Sequence, residues 1–176
     1  MLIGLISDTH IPDRGKNLPD KVFESFENVD MILHAGDVTS QEVLDKLSEF
    51  APVIAIQGNT DRMVGLDLPK TEIVEANGMR IGLNHGEVYP RADTQQLLYL
   101  AKQLDVDILV TGHSHQPKIE QIDGTLLLNP GSPMVPRLAD RTIMLLEIDD
   151  DKNVDVELVK VGSPVCSSLD ITRFKH

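Results

Sequence analysis

Histidine, aspartate and asparagine side chains recur in this sequence directly after short apolar runs. Five such clusters carry the pattern: Asp8-Thr9-His10, Gly36-Asp37, Gly58-Asn59-Thr60-Asp61, Asn84-His85-Gly86 and Gly112-His113-Ser114-His115. Imidazole, carboxylate and amide oxygen atoms are ligands for divalent transition metals. Because side chains that follow several strands can converge at one edge of a sheet, the pattern predicts a metal site.

Seven of these side chains are candidate metal ligands: Asp8, His10, Asp37, Asn59, His85, His113 and His115. A two-residue step along a strand returns to the same face, so Asp8 with His10, and His113 with His115, are expected to point to one side. Asp37 has two oxygens that can bridge two cations. Counting it twice gives four protein donors to each of two metals. This donor mixture favours Mn, Fe, Zn, Ni or Co over Mg or Ca.

The apolar runs before the clusters predict the strands of an α/β fold. In the first part of the chain, predicted strands alternate with predicted helices. The strands are Leu2–Ser7, Met31–Ala35 and Val53–Gln57, and the helices between them are Leu18–Phe26 and one that Ser40 caps and that runs to about Phe50. This βαβαβ succession favours a parallel sheet with right-handed crossovers.

The second part of the chain is richer in strands and turns. Asn77-Gly78 and Asp123-Gly124 each lie between two apolar runs and indicate hairpins. Thr94–Leu104 has helical spacing, and Asp107–Thr111 reads as a buried strand. Together the two parts predict two packed sheets with helices outside.

Size and charge limit the class of protein. At 176 residues the chain is expected to form one domain, residues 1–176. Its net charge of −12 argues against non-specific binding to nucleic acid. No apolar run reaches the length of a membrane span, the start of the sequence does not resemble a signal peptide, and Cys166 is the single cysteine. These features predict a cytoplasmic protein that does not associate with membranes.

In their order and spacing, the motifs D-x-H, G-D, G-N-x-D, N-H-G and G-H-S-H resemble those of the calcineurin-like metallophosphoesterase superfamily. More narrowly, the sequence is similar to the small bacterial and archaeal phosphodiesterases of that superfamily, and the resemblance spans Ile3 to about Arg137. It implies a four-layer αββα sandwich of two mixed sheets flanked by helices.

The resemblance also implies which ligands share a metal. One metal would be held by Asp8, His10, Asp37 and His115, and the other by Asp37, Asn59, His85 and His113. The implied activity is hydrolysis of a small phosphoester, most specifically a phosphodiester, by a hydroxide that bridges the two metals. Relatives form dimers or larger assemblies, but no stripe in this sequence establishes an interface for a homo-oligomer such as a dimer or tetramer.

The candidate catalytic residues are Asp37, Asn59 and Asp61, and Asn59 and Arg137 are candidate contacts for substrate phosphate. Many relatives have a histidine, thought to protonate the leaving group, where this sequence has Thr60. Asp61 is a surrogate acid or, in the favoured interpretation, a buried structural acceptor. Arg137 either clamps a phosphate or pairs with a carboxylate.

Simpler interpretations compete with the metal site. Asp8 could form a turn, His85 could be a hydrogen-bonded core histidine, and Gly112-His113-Ser114-His115 could be a surface turn. For His34, a hydrogen-bonded position in the core or behind the ligands is favoured over direct metal binding. At the level of function, the alternatives are a non-catalytic, metal-bearing interaction scaffold, since a retromer subunit uses this fold, and another two-metal hydrolase such as an amidase or aminopeptidase.

Overall fold

The structure, a computed structural model, describes residues 1–162 of the chain. Cys166, His176 and the C-terminal end of the predicted domain 1–176 therefore lie outside the described residues. Within residues 1–162 the helices have between 6 and 11 residues. None of these helices is long and apolar enough to cross a membrane.

Within residues 1–162, ten strands and four helices follow one another. In order they are β1 (Leu2–Ile6), α1 (Asp20–Phe26), β2 (Met31–His34), α2 (Gln41–Ser48), β3 (Val53–Ala55), α3 (Asn59–Val64), β4 (Thr71–Ala76), β5 (Met79–Asn84), α4 (Thr94–Leu104), β6 (Ile108–Val110), β7 (Lys118–Ile122), β8 (Thr125–Asn129), β9 (Arg141–Ile148) and β10 (Val154–Gly162). The strands form two five-stranded sheets, in the orders β10-β9-β1-β2-β3 and β4-β5-β6-β8-β7. Each sheet contains both parallel and antiparallel pairs.

Three apolar cores separate four layers. Helices α1 and α2 pack on the outer face of the first sheet, where Phe26 and Leu47 are fully buried. The two sheets pack on each other through residues such as Leu33 and Leu83. Helix α4 covers the outer face of the second sheet, with Leu97 against that layer. The predicted αββα sandwich is confirmed.

The local signals place most elements correctly. Strands β1, β2 and β3 run parallel, as the βαβαβ pattern predicts. Ser40 caps α2 by accepting the backbone N–H of Glu42. Asn77 and Gly78 both have positive φ, at 46° and 74°, and turn β4 into the antiparallel β5.

Two differences from the sequence prediction affect the site. Strands β1 and β6 end at Ile6 and Val110, so the clusters that follow them lie in loops. In addition, residues 59–64 form helix α3, which local signals in the sequence do not predict. Asn59 therefore sits at the start of a helix, and Asp61 lies in its first turn.

Candidate metal centre

The loops that carry the candidate ligands turn sharply. Five of the ligands have a positive φ: Asp8 at 53°, His10 at 47°, Asp37 at 55°, His113 at 64° and His115 at 57°. Such angles are uncommon outside glycine, although aspartate and histidine adopt them more readily than most residues. The predicted explanation for convergence, a two-residue step along an extended strand, is therefore wrong. The paired side chains reach the same place because the backbone turns back on itself.

Four side chains converge on one point. Single ligand atoms of Asp8, His10, Asp37 and His115 all lie within 4.8 Å of one another, and all four residues are buried. The Nε2 atom of His115 is 3.2 Å from Oδ1 of Asp8 and 3.3 Å from Nε2 of His10. Two donors that bind one cation at about 2.1 Å lie about 3–3.5 Å apart. These residues, called the first set below, fit a single cation.

The remaining candidates lie next to the first set. Nδ1 of His113 and Oδ1 of Asn59 face each other at 3.1 Å. The ring centres of His85 and His113 are 5.2 Å apart. Asp37, Asn59, His85 and His113 are called the second set below.

Asp37 lies between the two sets. Its Oδ2 atom is 3.6 Å from Nε2 of His10 and 3.3 Å from Nε2 of His85. Its Oδ1 atom accepts the backbone N–H of Thr60 at 2.8 Å. One oxygen of Asp37 thus faces donors of both sets while the other is held by the start of α3.

The histidine rings are oriented towards the centre by carbonyl groups behind them. Nδ1 of His85 lies 2.7 Å from the carbonyl oxygen of Ala35, and Nδ1 of His115 lies 2.7 Å from that of Val135. Both Nε2 atoms then point inward, as in protein metal sites, where the second ring nitrogen is usually held by an acceptor. Nε2 of His85 is buried and, in the part of the chain that the structure describes, has no hydrogen-bond partner of good geometry. A buried imidazole nitrogen without a partner, next to two carboxylates, fits the role of a metal ligand.

The charges of the centre are strongly coupled. Although burial disfavours ionised carboxylates, His115 and His85 hold the pKa of Asp8 below its usual value. Burial would also raise the pKa of Asp37, but His85 and the N–H of Thr60 lower it by more. Burial opposes the charged form of His85, but Asp37 and Asp8 raise its pKa to about 9. The imidazole of His85 therefore interacts strongly with both carboxylates.

Asp8 is fixed by a dense set of hydrogen bonds. Its carboxylate accepts the hydroxyl of Ser7 at 2.8 Å and the backbone N–H of His113 at 3.1 Å. Its carbonyl oxygen accepts the hydroxyl of Ser132 at 2.7 Å. Asn129 donates to the carbonyl oxygen of Gly112 at 2.6 Å. The Asn129-Pro130-Gly131-Ser132 turn therefore shapes the backbone of two ligand loops.

Asp61 holds the loops from behind. Its Oδ2 atom accepts the backbone N–H groups of Asp37 at 2.8 Å and Gly58 at 2.7 Å, and its Oδ1 atom accepts that of Thr39 at 2.8 Å. Asp61 is fully buried and does not line the cavity at the centre. It is a positioning residue, which agrees with the structural-acceptor interpretation and corrects its place among the candidate catalytic residues.

Two glycines allow the ligand loops to approach one another. A Cβ atom on Gly58 would lie 2.2 Å from Oδ1 of Asp37, and one on Gly112 would lie 2.8 Å from Oδ2 of Asp8. Contacts this short are not tolerated against a buried carboxylate. The backbone at both positions therefore fits against the ligands only as glycine.

The centre opens into a cavity of about 330 Å³. Besides ligands of both sets, its walls contain Thr60, Val135 and Pro136 and three arginines, Arg14, Arg91 and Arg137. Arg137 is exposed and has no carboxylate partner among residues 1–162, which favours its interpretation as a phosphate contact. Arg14 and Arg91 were not predicted for the site, because nothing near them in the sequence marks them.

Two further polar side chains have structural partners. His34 is fully buried, and its Nε2 lies 3.1 Å from the hydroxyl oxygen of Thr9. It is the hydrogen-bonded core histidine that the sequence predicts. Arg62 forms two hydrogen bonds with Glu87, at 2.9 and 2.7 Å, and so links α3 to the loop after His85.

Residues 1–151 match the family model of the calcineurin-like phosphoesterase superfamily domain. The chain belongs to this superfamily. It is 53% identical over 173 residues to a probable metallophosphoesterase of Methanothermobacter thermautotrophicus, which covers 98% of this chain and 100% of the relative. The expected family is confirmed by both comparisons.

Solved structures share the fold. Wild-type Vps29 from Entamoeba histolytica complexed with Zn²⁺ has a TM-score of 0.75 and 33% identity, and the match covers 92% of this chain and 100% of that one. A structure described as a novel archaeal phosphodiesterase has a TM-score of 0.65 and 27% identity, over 90% of this chain and 100% of that one.

Replacing Asp61 with asparagine should destabilise the protein by about 2–4 kcal/mol, because an amide group would face backbone N–H donors without accepting from all of them. Chemical denaturation measures the effect. Asp45→Asn, an exposed position on α2, is the matched control and should change stability by less than about 0.5 kcal/mol. Equal stabilities of the two variants would contradict the positioning role.

His34 should make stability depend on pH. Burial lowers its pKa to about 4, against 6.5 for an unperturbed histidine. Between these values the unfolded chain binds a proton that the folded chain does not, so this contribution is complete above about pH 6.5 and is lost as the pH falls towards 4. The slope approaches about 1.4 kcal/mol per pH unit.

The variant His34→Gln should remove this contribution. Free energies of unfolding measured from pH 4 to 8 should then fall less steeply on the acidic side than those of the wild type. Above pH 7 the two curves should run parallel, which serves as the internal control. Parallel curves below pH 6 as well would show that His34 does not titrate on unfolding.

Proposed function

We propose that this protein is a metal-dependent phosphodiesterase that binds two divalent cations, one at each set of ligands. The observation that carries the proposal is the position of Asp37, whose Oδ2 faces His10 of the first set and His85 of the second. A carboxylate oxygen with donors on both sides is suited to bridging two metals. Mn, Fe, Zn, Ni and Co are the candidates, because the donors are imidazoles, carboxylates and one amide oxygen.

The similar proteins support this assignment at different levels. The superfamily supports a metal-dependent phosphoesterase, and the archaeal phosphodiesterase supports the narrower class of substrate. The Zn²⁺ complex of Vps29 supports metal binding by the shared fold. The cavity of about 330 Å³ is suited to a small phosphoester.

Bound divalent cations would supply Lewis-acid chemistry, neutralising charge on the phosphoryl oxygens and lowering the pKa of water towards neutrality. The protein residues hold and orient the reactants. Oδ1 of Asn59 faces Nδ1 of His113 in the second set, so the Nδ2 group of Asn59 can donate to a phosphoryl oxygen. Arg137 lies in the cavity wall, where its guanidinium can donate two parallel hydrogen bonds to phosphate.

The position of Thr60 bears on the leaving group. Thr60 lines the cavity, and its hydroxyl oxygen has no hydrogen-bond partner among the described residues. A threonine hydroxyl does not protonate an alkoxide at neutral pH. General acid catalysis commonly contributes about 10²–10⁴-fold, so esters with poor leaving groups should react most slowly.

Asp37→Asn should lose bound metal and lower phosphodiesterase activity by about 10²-fold or more, because a Lewis-acid contribution of several kcal/mol is lost. Elemental analysis of the purified protein and hydrolysis of bis-p-nitrophenyl phosphate measure the two effects. Asp67→Asn, at an exposed position, is the control and should change neither. Loss of metal with full activity would overturn the mechanism, and retention of two metals would overturn the bridging role.

Thr60→His should raise the rate for a dialkyl phosphodiester relative to that for bis-p-nitrophenyl phosphate. The imidazole can donate a proton to an alkoxide, whereas nitrophenolate leaves without help. Steady-state rates on both esters test this, with Thr60→Gln as a control of similar size that has no titrating proton. If the wild type already hydrolyses the alkyl ester faster, the leaving-group argument fails.

The second candidate function is a non-catalytic, metal-bearing scaffold, which the likeness to Vps29 favours. Both candidates predict metal binding, so metal analysis does not separate them. Activity does. Wild-type protein that binds metal but hydrolyses none of a panel of phosphomonoesters, phosphodiesters, carboxylic esters and amides would support the scaffold.

A further inference from the structure

Three arginines line the metal-centre cavity: Arg14, Arg91 and Arg137. They come from three separate loops, between β1 and α1, β5 and α4, and β8 and β9. All three residues are exposed. Within residues 1–162, no carboxylate lies within 4.0 Å of their guanidinium nitrogens. These residues are called the arginine rim below.

Each member of the arginine rim is tied to the backbone of a different candidate metal ligand. The backbone N–H of Arg14 donates to the carbonyl oxygen of His10 at 2.8 Å, and that of Arg137 donates to His115 at 3.2 Å. The guanidinium Nη1 of Arg91 donates to the carbonyl oxygen of His113 at 3.3 Å. The backbone of Arg14 and Arg137 and the guanidinium of Arg91 are therefore held against the loops that form the centre.

The arginine rim is an unusual concentration of positive charge in this protein. The chain carries a net charge of −12, yet the cavity wall contains three arginines and a single carboxylate, Asp37, among the described residues. Unpaired guanidinium groups around a cavity favour anions, and their planar donors match phosphate oxygens. The wall is therefore built for a strongly anionic ligand.

The number of cations exceeds what one phosphodiester needs. Two divalent cations facing the carboxylates of Asp8 and Asp37 would leave a net positive centre for the reacting phosphoryl group, which carries about one negative charge as a diester. The arginine rim adds three further positive charges next to it. A ligand that matches all of them has a second phosphate group close to the first.

We propose that the arginine rim selects phosphoesters that carry a second phosphate group beside the reacting one. This inference rests on the proposed function, since it names the substrate class of the same site. The reacting phosphoryl group would lie at the ligand sets, and the second phosphate would be bound by the guanidinium groups of the arginine rim. A cavity of about 330 Å³ limits such a substrate to a small molecule.

A pair of matched chromogenic esters tests the selectivity. Thymidine 5′-(p-nitrophenyl phosphate) and the same compound with a 3′-phosphate share the reacting group and differ only in the second phosphate. The wild-type protein should hydrolyse the 3′-phosphorylated ester with a kcat/KM about tenfold higher or more, mainly through a lower KM. Arg14→Gln and Arg91→Gln should each reduce this preference by about threefold to tenfold, because exposed charges are screened.

Binding of inorganic anions provides a readout that does not depend on turnover. Calorimetric titration should show tighter binding of tripolyphosphate than of orthophosphate to the wild-type protein, and the difference should shrink in both variants. Lys21→Gln removes one positive charge from an exposed position on α1 that does not line the cavity, and should change neither preference. A preference that responds equally to Lys21→Gln would show a general charge effect and overturn the inference.

The outcomes separate this inference from the proposed function. Equal hydrolysis of the two esters overturns the role of the arginine rim but leaves the phosphodiesterase intact. If neither ester is hydrolysed, the proposed phosphodiesterase activity is overturned. The binding of inorganic anions then tests the arginine rim independently. Tripolyphosphate that binds no more tightly than orthophosphate overturns the inference in either case.

Discussion

The burial of two neighbouring carboxylates is the constraint on which the rest of the structure depends. Asp8 exposes none of its surface to solvent, and Asp37 exposes 2%. Removing an ionised carboxylate from water costs several kcal/mol unless other charges and donors compensate. Backbone N–H groups, the Ser7 hydroxyl and the imidazoles of His85 and His115 offset part of that cost. Divalent cations would offset more of it, which is why this arrangement fits a metal centre better than a structural ion pair.

Packing between the sheets holds the two halves of this centre together. The ligands follow β1, β2 and β3 of the first sheet and β5 and β6 of the second. Leu33 and Leu83 belong to the apolar core between those sheets and lie a few residues before Asp37 and His85. A shift of one sheet against the other would separate His85 from Asp37, which are 3.3 Å apart. The close packing of that core therefore fixes distances between ligands from distant parts of the sequence.

Local signals predict the scaffold of this protein well and its site only in part. Buried strands and α4 follow directly from apolar runs, helical spacing and caps, and Thr94–Leu104 is predicted to the residue. Helix α3 is short and polar, and its start is held by Asp61, which also binds the distant backbone of Asp37 and Thr39. The turns at the ligands could not be predicted from strand periodicity, because they depend on contacts between loops.

The arginines of the cavity wall could not be predicted from the sequence either. Arg91 reads as an ordinary solvated charge until the fold places it beside His113. Motif order can identify ligands that chemistry restricts to a few residue types, but long exposed cations carry no such signature. The candidate metal ligands can therefore be predicted from the sequence, whereas the arginines of the cavity wall are identified only by the three-dimensional structure.

The distribution of charge also determines which anions can reach the centre. A chain with a net charge of −12 repels anions at long range, and at physiological salt that repulsion is screened over about 8 Å. Attraction by the arginine rim acts at the same short range, so an anion must approach closely before it is favoured. A compact ligand with several charges gains from all three guanidinium groups at once. Under the proposed role of the arginine rim, electrostatics therefore favour a small ligand whose negative charges lie close together.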